Sequence, residues 1–337
     1  MNNIFFIAEI GLNHNGDINL AKSMIKAAKE SGANAVKFQS IKANRLVSPN
    51  IFSDSIDGFG LDGVKTVGEF WEKVSINKEF HMEISQYSEE LKIEFISTPF
   101  DFDSVDLLEE INIKKYKIAS GDLTHHPLLE YISKKQKPII LSTGGSSLEE
   151  IGTSIQIIKD LGCNDLTLLH CVSLYPTTSE KANLDAILAL KSQFKLPVGF
   201  SDHTIGYHIP IAAIALGATV IEKHFTIDKS LPGPDQSISS DPEEFCKIVD
   251  YGNKIFNAIK QKDKVISKDE IKMTKVIRRS IVAANDLSKG HIISLDDLEF
   301  KRPGTGISPA DYKNIIGMRV KSFIKKEKII NISDLDK

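Results

Sequence analysis

The amino-acid sequence predicts a (β/α)8 barrel followed by a small, β-rich C-terminal domain. Three observations favour this fold class. Eight short apolar segments occupy the first two thirds of the chain, a stretch with helical spacing separates most of them, and polar side chains end almost every segment. Strand and then helix, repeated eight times, is typical of this barrel. An open, doubly wound parallel sheet is the competing fold, but no break in the repeat marks its crossover.

The predicted strands are rich in Val, Ile, Phe and Leu, which favour buried strands. Between the first two strands, Ala21, Met24, Ile25 and Ala28 recur with the spacing of a helix that buries one face. In chain order, the predicted strands are 4–10, 35–39, 94–98, 115–119, 138–142, 166–170, 198–201 and 220–224.

The length of the chain predicts two domains. A chain of 337 residues exceeds the roughly 250–300 residues that one hydrophobic core supports. Strand signals stop in a lysine-rich stretch at 254–275, and the barrel would end near Ile259. We therefore predict a barrel domain at 1–262, a linker at 263–277 and a small domain at 278–337. The long segment 40–92 is either a mobile flap over the pocket or a surface excursion anchored by Trp71.

Composition argues against several classes of protein. The chain has 42 Lys and Arg against 45 Asp and Glu, a net charge of −3, so we expect no nucleic-acid partner. No stretch reaches the roughly 18 apolar residues that span a bilayer, and no signal peptide is recognisable. Cys163, Cys171 and Cys246 form neither a CxxC pair nor an even disulfide set. We expect a soluble, cytoplasmic protein with no membrane partner.

Polar side chains cluster at the carboxyl ends of the predicted strands. In a parallel barrel these ends meet at one rim, where the active sites of this fold lie. The polar groups there are therefore functional candidates by position alone. They are Glu9, Lys37, Gln39, Thr98, Lys117, Ser120, Ser142, His170, Ser201, Asp202, His203, Glu222 and His224.

Two histidines, His203 and His224, end strands seven and eight, which are neighbours in a closed barrel. Imidazoles brought together in this way suit Mn, Fe, Co or Zn. Asp202 and Glu222 beside them could be further ligands, groups that orient the ligands, or proton carriers. His170 is a third candidate ligand, although the apolar run before it favours a histidine with internal hydrogen bonds. The alternative for each histidine is a purely structural hydrogen bond in a polar rim.

Two lysines, Lys37 and Lys117, lie among hydroxyl groups at this predicted rim. A lysine that points into a barrel mouth is costly to desolvate unless an anion meets it. Two such lysines together with several hydroxyls predict a phosphate or carboxylate ligand. The alternative is that they pair with Glu9 and Glu222 as structural ion pairs.

The strand ends and the loops after them carry ten short motifs, which are Ala8-Glu-Ile-Gly-Leu-Asn-His14, Val36-Lys-Phe-Gln39, Ser97-Thr-Pro-Phe100, Tyr116-Lys-Ile-Ala-Ser-Gly121, Leu141-Ser-Thr-Gly144, Leu169-His-Cys171, Tyr175-Pro-Thr177, Gly199-Phe-Ser-Asp-His-Thr204, Glu222-Lys-His-Phe225 and Gly233-Pro-Asp235. In these motifs the chain resembles the sialic acid synthase family, enzymes that join phosphoenolpyruvate to an N-acylated mannosamine-type sugar. The C-terminal segment, including Lys301-Arg-Pro-Gly304, resembles the antifreeze-like (SAF) domain that ends these proteins.

The resemblance implies a role for each matching residue. His203 and His224 would bind a divalent metal, Mn²⁺ or Mg²⁺. Phosphoenolpyruvate would be held by Lys37, Thr98, Lys117, Ser120, Ser142 and Ser201. The acceptor sugar would face Glu9, Gln39, Tyr175 and Asp235, together with Arg302 of the partner subunit in a domain-swapped homodimer. The implied catalytic residues are Glu9, Glu222 and His203, with Glu222 suited to take a proton from the attacking water.

Three positions depart from the N-acetylneuraminate branch of that family. The branch has Lys-His-Gln at Lys37-Phe38-Gln39, Gly-Glu at Gly121-Asp122 and asparagine at Ser173. We place these positions on the acceptor side of the pocket, and the Phe38 version also resembles legionaminate-type synthases. Our first hypothesis for the acceptor is N-acetylmannosamine, which gives N-acetylneuraminate. The alternative is 2,4-diacetamido-2,4,6-trideoxymannose, which gives N,N'-diacetyllegionaminate.

Two other classes of function compete with a synthase. A barrel metallohydrolase would need more metal ligands than two rim histidines, with His170 as the obvious third. A non-catalytic binding module, by analogy with ice-binding relatives of the small domain, would leave a full rim of charged residues without a use.

Overall fold

The computed structural model describes residues 3–260 and 263–337. The chain divides after Lys260 into two compact units. The predicted end of the barrel domain, at residue 262, lies close to this division. No helix within the two described ranges has the length and apolar character needed to cross a bilayer.

The first unit is a closed barrel of eight parallel strands, as predicted. Strand β1 pairs with both β2 and β8, which closes the sheet and excludes the open, doubly wound alternative. The strands agree with the predicted segments to within about two residues at each end. They are β1 (Phe5–Gly11), β2 (Ala35–Ser40), β3 (Glu94–Pro99), β4 (Tyr116–Ile118), β5 (Ile139–Ser142), β6 (Leu166–Cys171), β7 (Val198–Asp202) and β8 (Val220–His224).

Helices follow the strands in the connecting segments. The apolar stripe predicted for the first of them, Ala21, Met24, Ile25 and Ala28, is fully buried. Asp17 starts that helix by accepting hydrogen bonds from the Asn19 and Leu20 amides. The helices of this unit are α1 (Ile18–Glu30), α2 (Ala43–Leu46), α3 (Pro49–Phe52), α4 (Val67–Val74), α5 (Lys78–Glu90), α6 (Phe102–Glu110), α7 (His126–Ser133), α8 (Leu148–Asp160), α9 (Ala186–Phe194), α10 (His208–Ala215) and α11 (Pro242–Ala258).

The long segment between β2 and β3 has a hydrophobic cluster of its own. Trp71 packs there, and its ring centroid lies 5.2 Å from that of Phe70. This packing favours a surface excursion anchored by Trp71 over a mobile flap. The fully buried members of the cluster are Leu12, Ile41, Leu61, Phe70 and Val74.

The interior of the barrel changes from apolar to polar along the strands. An apolar layer of Ile7, Ala35, Ile96, Ile140, Leu169 and Val220 forms one buried cluster. Side chains on a strand alternate between its two faces, so the residue two positions further on faces the same way. Those next residues include Glu9, Lys37, Thr98, Ser142 and Glu222. The apolar layer therefore forms the floor beneath a polar layer at the carboxyl rim.

The same alternation corrects one sequence-based placement. Phe38 lies between Lys37 and Gln39 on β2, so its side chain points to the outer face of the barrel wall. Its ring is fully buried and lies 5.7 Å from Phe95 and 5.8 Å from His14. The expectation that Phe38 lies on the acceptor side of the pocket is therefore wrong.

The second unit is a small β-rich fold with its own core. Strand β9 (Ser280–Ala283) pairs antiparallel with β10 (Leu298–Lys301), and β11 (Arg319–Val320) pairs with β12 (Leu335–Asp336). Two helices, α12 (Lys268–Ile277) and α13 (Tyr312–Ile315), complete the unit. The buried core consists of Ile281, Ala283, Leu287, Ile293, Leu298, Ile315, Val320, Ile324, Ile330 and Leu335.

The predicted linker, 263–277, is largely helical. Ser267 caps α12 by accepting a hydrogen bond from the Glu270 amide, and Lys272 pairs with Asp269. The sequence pattern missed this helix because none of its side chains is buried in this chain. Its apolar residues are half exposed, namely Ile271, Met273, Val276 and Ile277.

His14 is a buried histidine that the fold keeps neutral. It lies between the rings of Phe38 and Phe80, and its Nδ1 accepts a hydrogen bond from the Gly16 amide at 3.0 Å. Burial, assisted by His81, lowers the pKa of His14 from 6.5 to about 3.

We predict that His14 makes the fold less stable in mild acid. The unfolded chain binds a proton at His14 below pH 6.5, whereas the folded chain stays neutral down to about pH 3. The free energy of unfolding is therefore not reduced by His14 above pH 6.5. It falls as the pH drops below that value, by about 2 kcal/mol between pH 7 and pH 5. In urea unfolding at both pH values, the wild type should lose about 2 kcal/mol more than His14→Gln, because the other buried histidines contribute to both proteins. His208→Gln, which alters an exposed histidine, should keep the wild-type pH dependence. Equal dependence in all three proteins would contradict the assignment.

Candidate active site

A cavity of about 360 Å³ opens at the carboxyl rim of the barrel. Most side chains predicted to be functional line it, although they come from positions as far apart in the chain as 9 and 224. The predicted residues in its wall are Glu9, Lys37, Gln39, Thr98, Lys117, Ser120, Ser142, Tyr175, Ser201, His203, Glu222 and His224.

Four charged side chains form a network in this cavity. Lys37 Nζ lies 2.8 Å from Glu9 Oε2 and 3.8 Å from Glu222 Oε2, and Lys117 Nζ lies 3.5 Å from Glu222 Oε1. All four side chains are at most 6% exposed. Two ammonium groups and two carboxylates thus balance one another, which is the ion pairing that the sequence left open as an alternative.

The two carboxyl groups of this network have different proton affinities. Burial raises the pKa of Glu9 to about 7, with the charge of Lys37 opposing the shift and that of Glu222 adding to it. Burial would also raise the pKa of Glu222, but Lys117 and Lys37 outweigh it and the net shift is downward. Glu222 is therefore ionised at neutral pH, while Glu9 can gain or lose a proton there.

Hydroxyl groups surround the two lysines. Lys117 Nζ donates to Ser142 Oγ at 2.7 Å, and Lys37 Nζ donates to Thr98 Oγ1 at 3.3 Å. Ser201 Oγ donates to Glu222 Oε1 at 2.9 Å. Each of these hydroxyls can rotate to donate to an anion, so the cavity contains both the charge and the hydrogen-bond donors that a phosphate requires.

Gly144, which follows β5, allows the segments after β4 and β6 to pack closely beside these hydroxyl groups. Its amide donates to Ser120 Oγ at 2.9 Å. A Cβ atom at this position would lie 2.4 Å from Ser173 Oγ and 2.9 Å from Ser120 Oγ, so any side chain here would displace both serines. This close approach explains the glycine of the Leu141-Ser-Thr-Gly144 motif.

The two predicted metal ligands lie next to each other. The ring centroids of His203 and His224 are 5.5 Å apart. His203 Nδ1 donates to the Val172 carbonyl at 2.9 Å, which fixes its proton on Nδ1 and leaves Nε2 as an electron-pair donor. His224 Nδ1 is buried without a hydrogen-bond partner, and burial holds the pKa of His224 well below its ordinary value. Burial lowers the pKa of His203, but its contacts with Cys171 and the Val172 carbonyl outweigh burial and the net shift is upward, so a metal ion would displace a proton from Nε2. With that proton gone, one nitrogen of each imidazole fits a divalent metal ion.

The predicted metal ligands at this position are two histidines. Among residues 3–260 and 263–337, no group of three or more His, Cys, Asp or Glu is arranged to hold a metal ion. His170, the third candidate, is turned away: its Nε2 donates to the Ala182 carbonyl at 2.9 Å, and its ring stacks on Phe200. His170 is therefore a histidine with an internal hydrogen bond, as its sequence context favours. The third metal ligand that the metallohydrolase hypothesis needs is not supplied by His170.

Two of the residues predicted to face the acceptor, Tyr175 and Asp235, lie against the histidines. The Tyr175 ring centroid is 4.0 Å from that of His203. Asp235 Oδ2 lies 3.8 Å from His224 Nδ1, and burial raises the pKa of Asp235 to about 6. These contacts place Tyr175 and Asp235 against the histidine pair.

The other predicted acceptor residues are Glu9, Gln39 and Arg302. Gln39 Nε2 donates to Glu9 Oε1 at 3.2 Å, so Gln39 is attached to the charged network. Arg302 belongs to the second unit, where it lies with Arg279 and Lys301 on a basic surface. Its contact with a sugar stays a prediction.

Sequence reasoning missed several residues of the cavity wall. Cys171 lines the cavity, and its Sγ lies 3.9 Å from His203 Nδ1. The signal was present, because Cys171 follows the inward-facing Leu169 by two positions on β6. Phe100 and Ala119 in the wall were also missed, whereas Gly121 and Ser173 belong to positions that we predicted to lie on the acceptor side. Of the three residues that depart from the N-acetylneuraminate branch, Ser173 lines the cavity.

The closed barrel and the buried, charge-balanced cavity at its carboxyl rim define an enzyme of the (β/α)8 class, with a site suited to an anionic substrate. The NeuB family model matches residues 24–264, and the SAF domain model matches residues 278–336. The chain belongs to the NeuB family. The family, fold class and enzyme class predicted from the sequence are confirmed.

Individual relatives agree with this assignment. The chain is 43% identical to the N,N'-diacetyllegionaminic acid synthase of Legionella pneumophila, over 94% of this chain and 90% of that protein. It is 34% identical to the human N-acetylneuraminate-9-phosphate synthase, over 97% and 91% of the two chains. A crystal structure of N-acetylneuraminic acid synthetase from Leptospira borgpetersenii matches with a TM-score of 0.73 at 36% identity, covering 80% of this chain and 90% of that one.

Proposed function

We propose that this protein is a nonulosonic acid synthase that condenses phosphoenolpyruvate with an N-acylated mannosamine-type sugar and releases phosphate. One observation carries the proposal. A single buried cavity joins two lysines and their hydroxyl partners to a pair of histidines. The first group suits an enol phosphate, and the second suits a metal ion beside an aldehyde.

The lysines would hold phosphoenolpyruvate by exchanging partners. Without substrate, Lys37 and Lys117 are paired with Glu9 and Glu222. An arriving phosphate can take over part of that pairing, assisted by the hydroxyls of Thr98, Ser120, Ser142 and Ser201. Proton uptake by Glu9, whose pKa is about 7, would offset part of the added negative charge. The cavity can therefore accept an anion without leaving a buried carboxylate unpaired.

The reaction then needs one proton acceptor and one stabilised leaving group. The enol carbon of phosphoenolpyruvate attacks the aldehyde carbon of the sugar and forms the new carbon–carbon bond, and the aldehyde oxygen becomes a hydroxyl by taking up a proton, which balances the one that the attacking water gives up. Water adds to the carbon that carries the phosphate, and the carbon–oxygen bond to phosphate breaks. Glu222 is ionised and buried, so it can take the proton of that water. Lys37 and Lys117 stabilise the departing phosphate.

His203 and His224 would hold the metal ion, Mn²⁺ or Mg²⁺. When bound, the ion supplies the Lewis acidity that polarises the carbonyl of the acceptor. The Val172 carbonyl keeps a proton of His203 on Nδ1, so Nε2 is the ring nitrogen that would bind the metal.

The acceptor we propose is 2,4-diacetamido-2,4,6-trideoxymannose, which reverses the order of the two acceptors inferred from the sequence. The chain is 43% identical to a protein named for the diacetyllegionaminic acid product and 34% identical to one named for N-acetylneuraminate-9-phosphate. The cavity wall also includes Phe100, Ala119 and Gly121. These apolar groups can contact a deoxy carbon and an acetyl methyl group but leave extra sugar hydroxyls without partners.

We predict that purified protein with Mn²⁺ releases phosphate from phosphoenolpyruvate when the diacetamido sugar is present. Because unpaired hydroxyls are penalised, kcat/KM for N-acetylmannosamine should be lower by a factor on the order of 10 to 100. Glu222→Gln, which keeps the shape of the side chain, is the matched control and should lose most turnover. If neither sugar supports phosphate release, the synthase proposal is refuted. If N-acetylmannosamine is the preferred sugar, only the proposed acceptor is refuted.

We also propose that the active protein is a domain-swapped homodimer, in which Arg302 of the partner subunit contacts the acceptor. The resemblance to sialic acid synthases implies this arrangement. Helix α12 supports it, because Ile271, Met273, Val276 and Ile277 are half exposed and a second copy of the chain could cover them.

A subunit-mixing experiment tests the swap. Arg302→Ala and His203→Ala should each be inactive alone. Co-expressed, they should regain about a quarter of wild-type activity per subunit, because half of the dimers are mixed and each mixed dimer has one complete site. Arg279→Ala, which changes a neighbouring arginine, should stay active. No recovery on mixing, or an active monomer in sedimentation, would contradict the proposal.

A further inference from the structure

A second buried ion pair lies directly behind the histidines. Lys223 Nζ on β8 is 2.7 Å from Asp202 Oδ2 on β7, and the two side chains are 1% and 0% exposed. Because Ser201, His203, Glu222 and His224 line the cavity, the alternation of side chains places Asp202 and Lys223 on the outer face of the same wall. This pair contacts no substrate, and the proposed mechanism does not use it.

The pair ties together the residues on both sides of His203. Asp202 Oδ1 accepts a hydrogen bond from the Thr204 amide at 2.8 Å, and Asp202 Oδ2 accepts one from Thr204 Oγ1 at 3.1 Å. Lys223 Nζ also donates to the Thr204 carbonyl. A single ammonium group on β8 therefore fixes the residue before His203 and the residue after it.

These contacts lie where the pairing between β7 and β8 ends. The pairing of β7 with β8 runs through Phe200–Ile221 and Ser201–Glu222 and ends at Asp202–Lys223. His203 and His224 come one position later, beyond the last residues that pair β7 with β8, although His224 still pairs with Glu9 of β1 on its other side. The β7–β8 ladder therefore does not set the separation of the two histidines, and the contacts of Lys223 with Asp202 and Thr204 connect the two strands at that level.

Stability alone gives a weak reason for charges at this position. Two charges removed from water lose hydration that their mutual attraction only partly restores, and apolar pairs of similar volume are often as stable. A buried pair with defined hydrogen-bond geometry instead fixes one arrangement of the backbone. Here that backbone carries both histidines.

We propose that the Asp202–Lys223 ion pair is a positioning device that sets the separation and orientation of His203 and His224, and with them the affinity of the site for a divalent metal. The inference rests on the proposed metal-binding role of the two histidines. Asp202 and Lys223 are positioning residues, since they act through the backbone of their neighbours.

The test measures Mn²⁺ binding by isothermal titration calorimetry on the full-length protein without substrates. The Asp202→Asn/Lys223→Met double variant removes both charges, so none is left unpaired in the core. We expect it to unfold cooperatively in urea and to bind Mn²⁺ roughly 10- to 100-fold more weakly than the wild type. Lys223→Arg keeps the charge but cannot place one nitrogen against both Asp202 and Thr204, and it should weaken Mn²⁺ binding severalfold.

The matched control is the pair between Lys115 and Glu94, 3.1 Å apart at the opposite end of the barrel. Glu94→Gln/Lys115→Met should leave Mn²⁺ affinity unchanged. Wild-type Mn²⁺ affinity in either folded variant of the Asp202–Lys223 pair would overturn the proposal. If the wild type releases phosphate without metal and binds no Mn²⁺, the metal role is wrong and this proposal with it, whereas the synthase function stands.

Discussion

The site depends on one constraint, the balance of charge among side chains that are almost fully withdrawn from solvent. Side chains from strands distributed over more than half of the chain converge on the carboxyl rim, where Lys37 and Lys117 meet Glu9 and Glu222. None of the four could stay ionised there alone, because desolvation would shift its proton equilibrium toward the neutral form. Paired, they remain in place, and the site stays ready for an anion that can replace one of the carboxylates.

The two carboxyl groups of this network differ in proton affinity, and this difference suits them to different roles. Glu222 contacts both lysines and Ser201, so it stays ionised, whereas Glu9 contacts Lys37 and Gln39 and has a pKa of about 7. One carboxylate is fixed as a base and the other adjusts its charge to the contents of the cavity. The histidines next to them are controlled from outside the cavity, by the Val172 carbonyl and, in our proposal, by Asp202 and Lys223.

Much of this could be predicted from the sequence, because alternation on strands is a local property. The eight strands and the positions of Glu9, Lys37, Thr98, Ser142 and Glu222 followed from it. What could not be predicted depends on packing between distant segments. Apolar spacing gave no sign that α12 is a helix, because none of its side chains is buried in this chain. Family comparison placed Phe38 by the cavity, although its position between Lys37 and Gln39 on β2 directs it outward. The bond from Lys223 to Asp202 joins residues 21 apart in the chain and has no sequence signature.

The central claim is that an enol phosphate and a metal ion share this one cavity. Anomalous diffraction from crystals soaked with Mn²⁺ and phosphoenolpyruvate tests it most directly. We expect an anomalous peak within bonding distance of one nitrogen of His203 and one of His224, with the phosphate density against Lys37 and Lys117. A peak elsewhere in the barrel, or phosphoenolpyruvate bound away from both lysines, would contradict it.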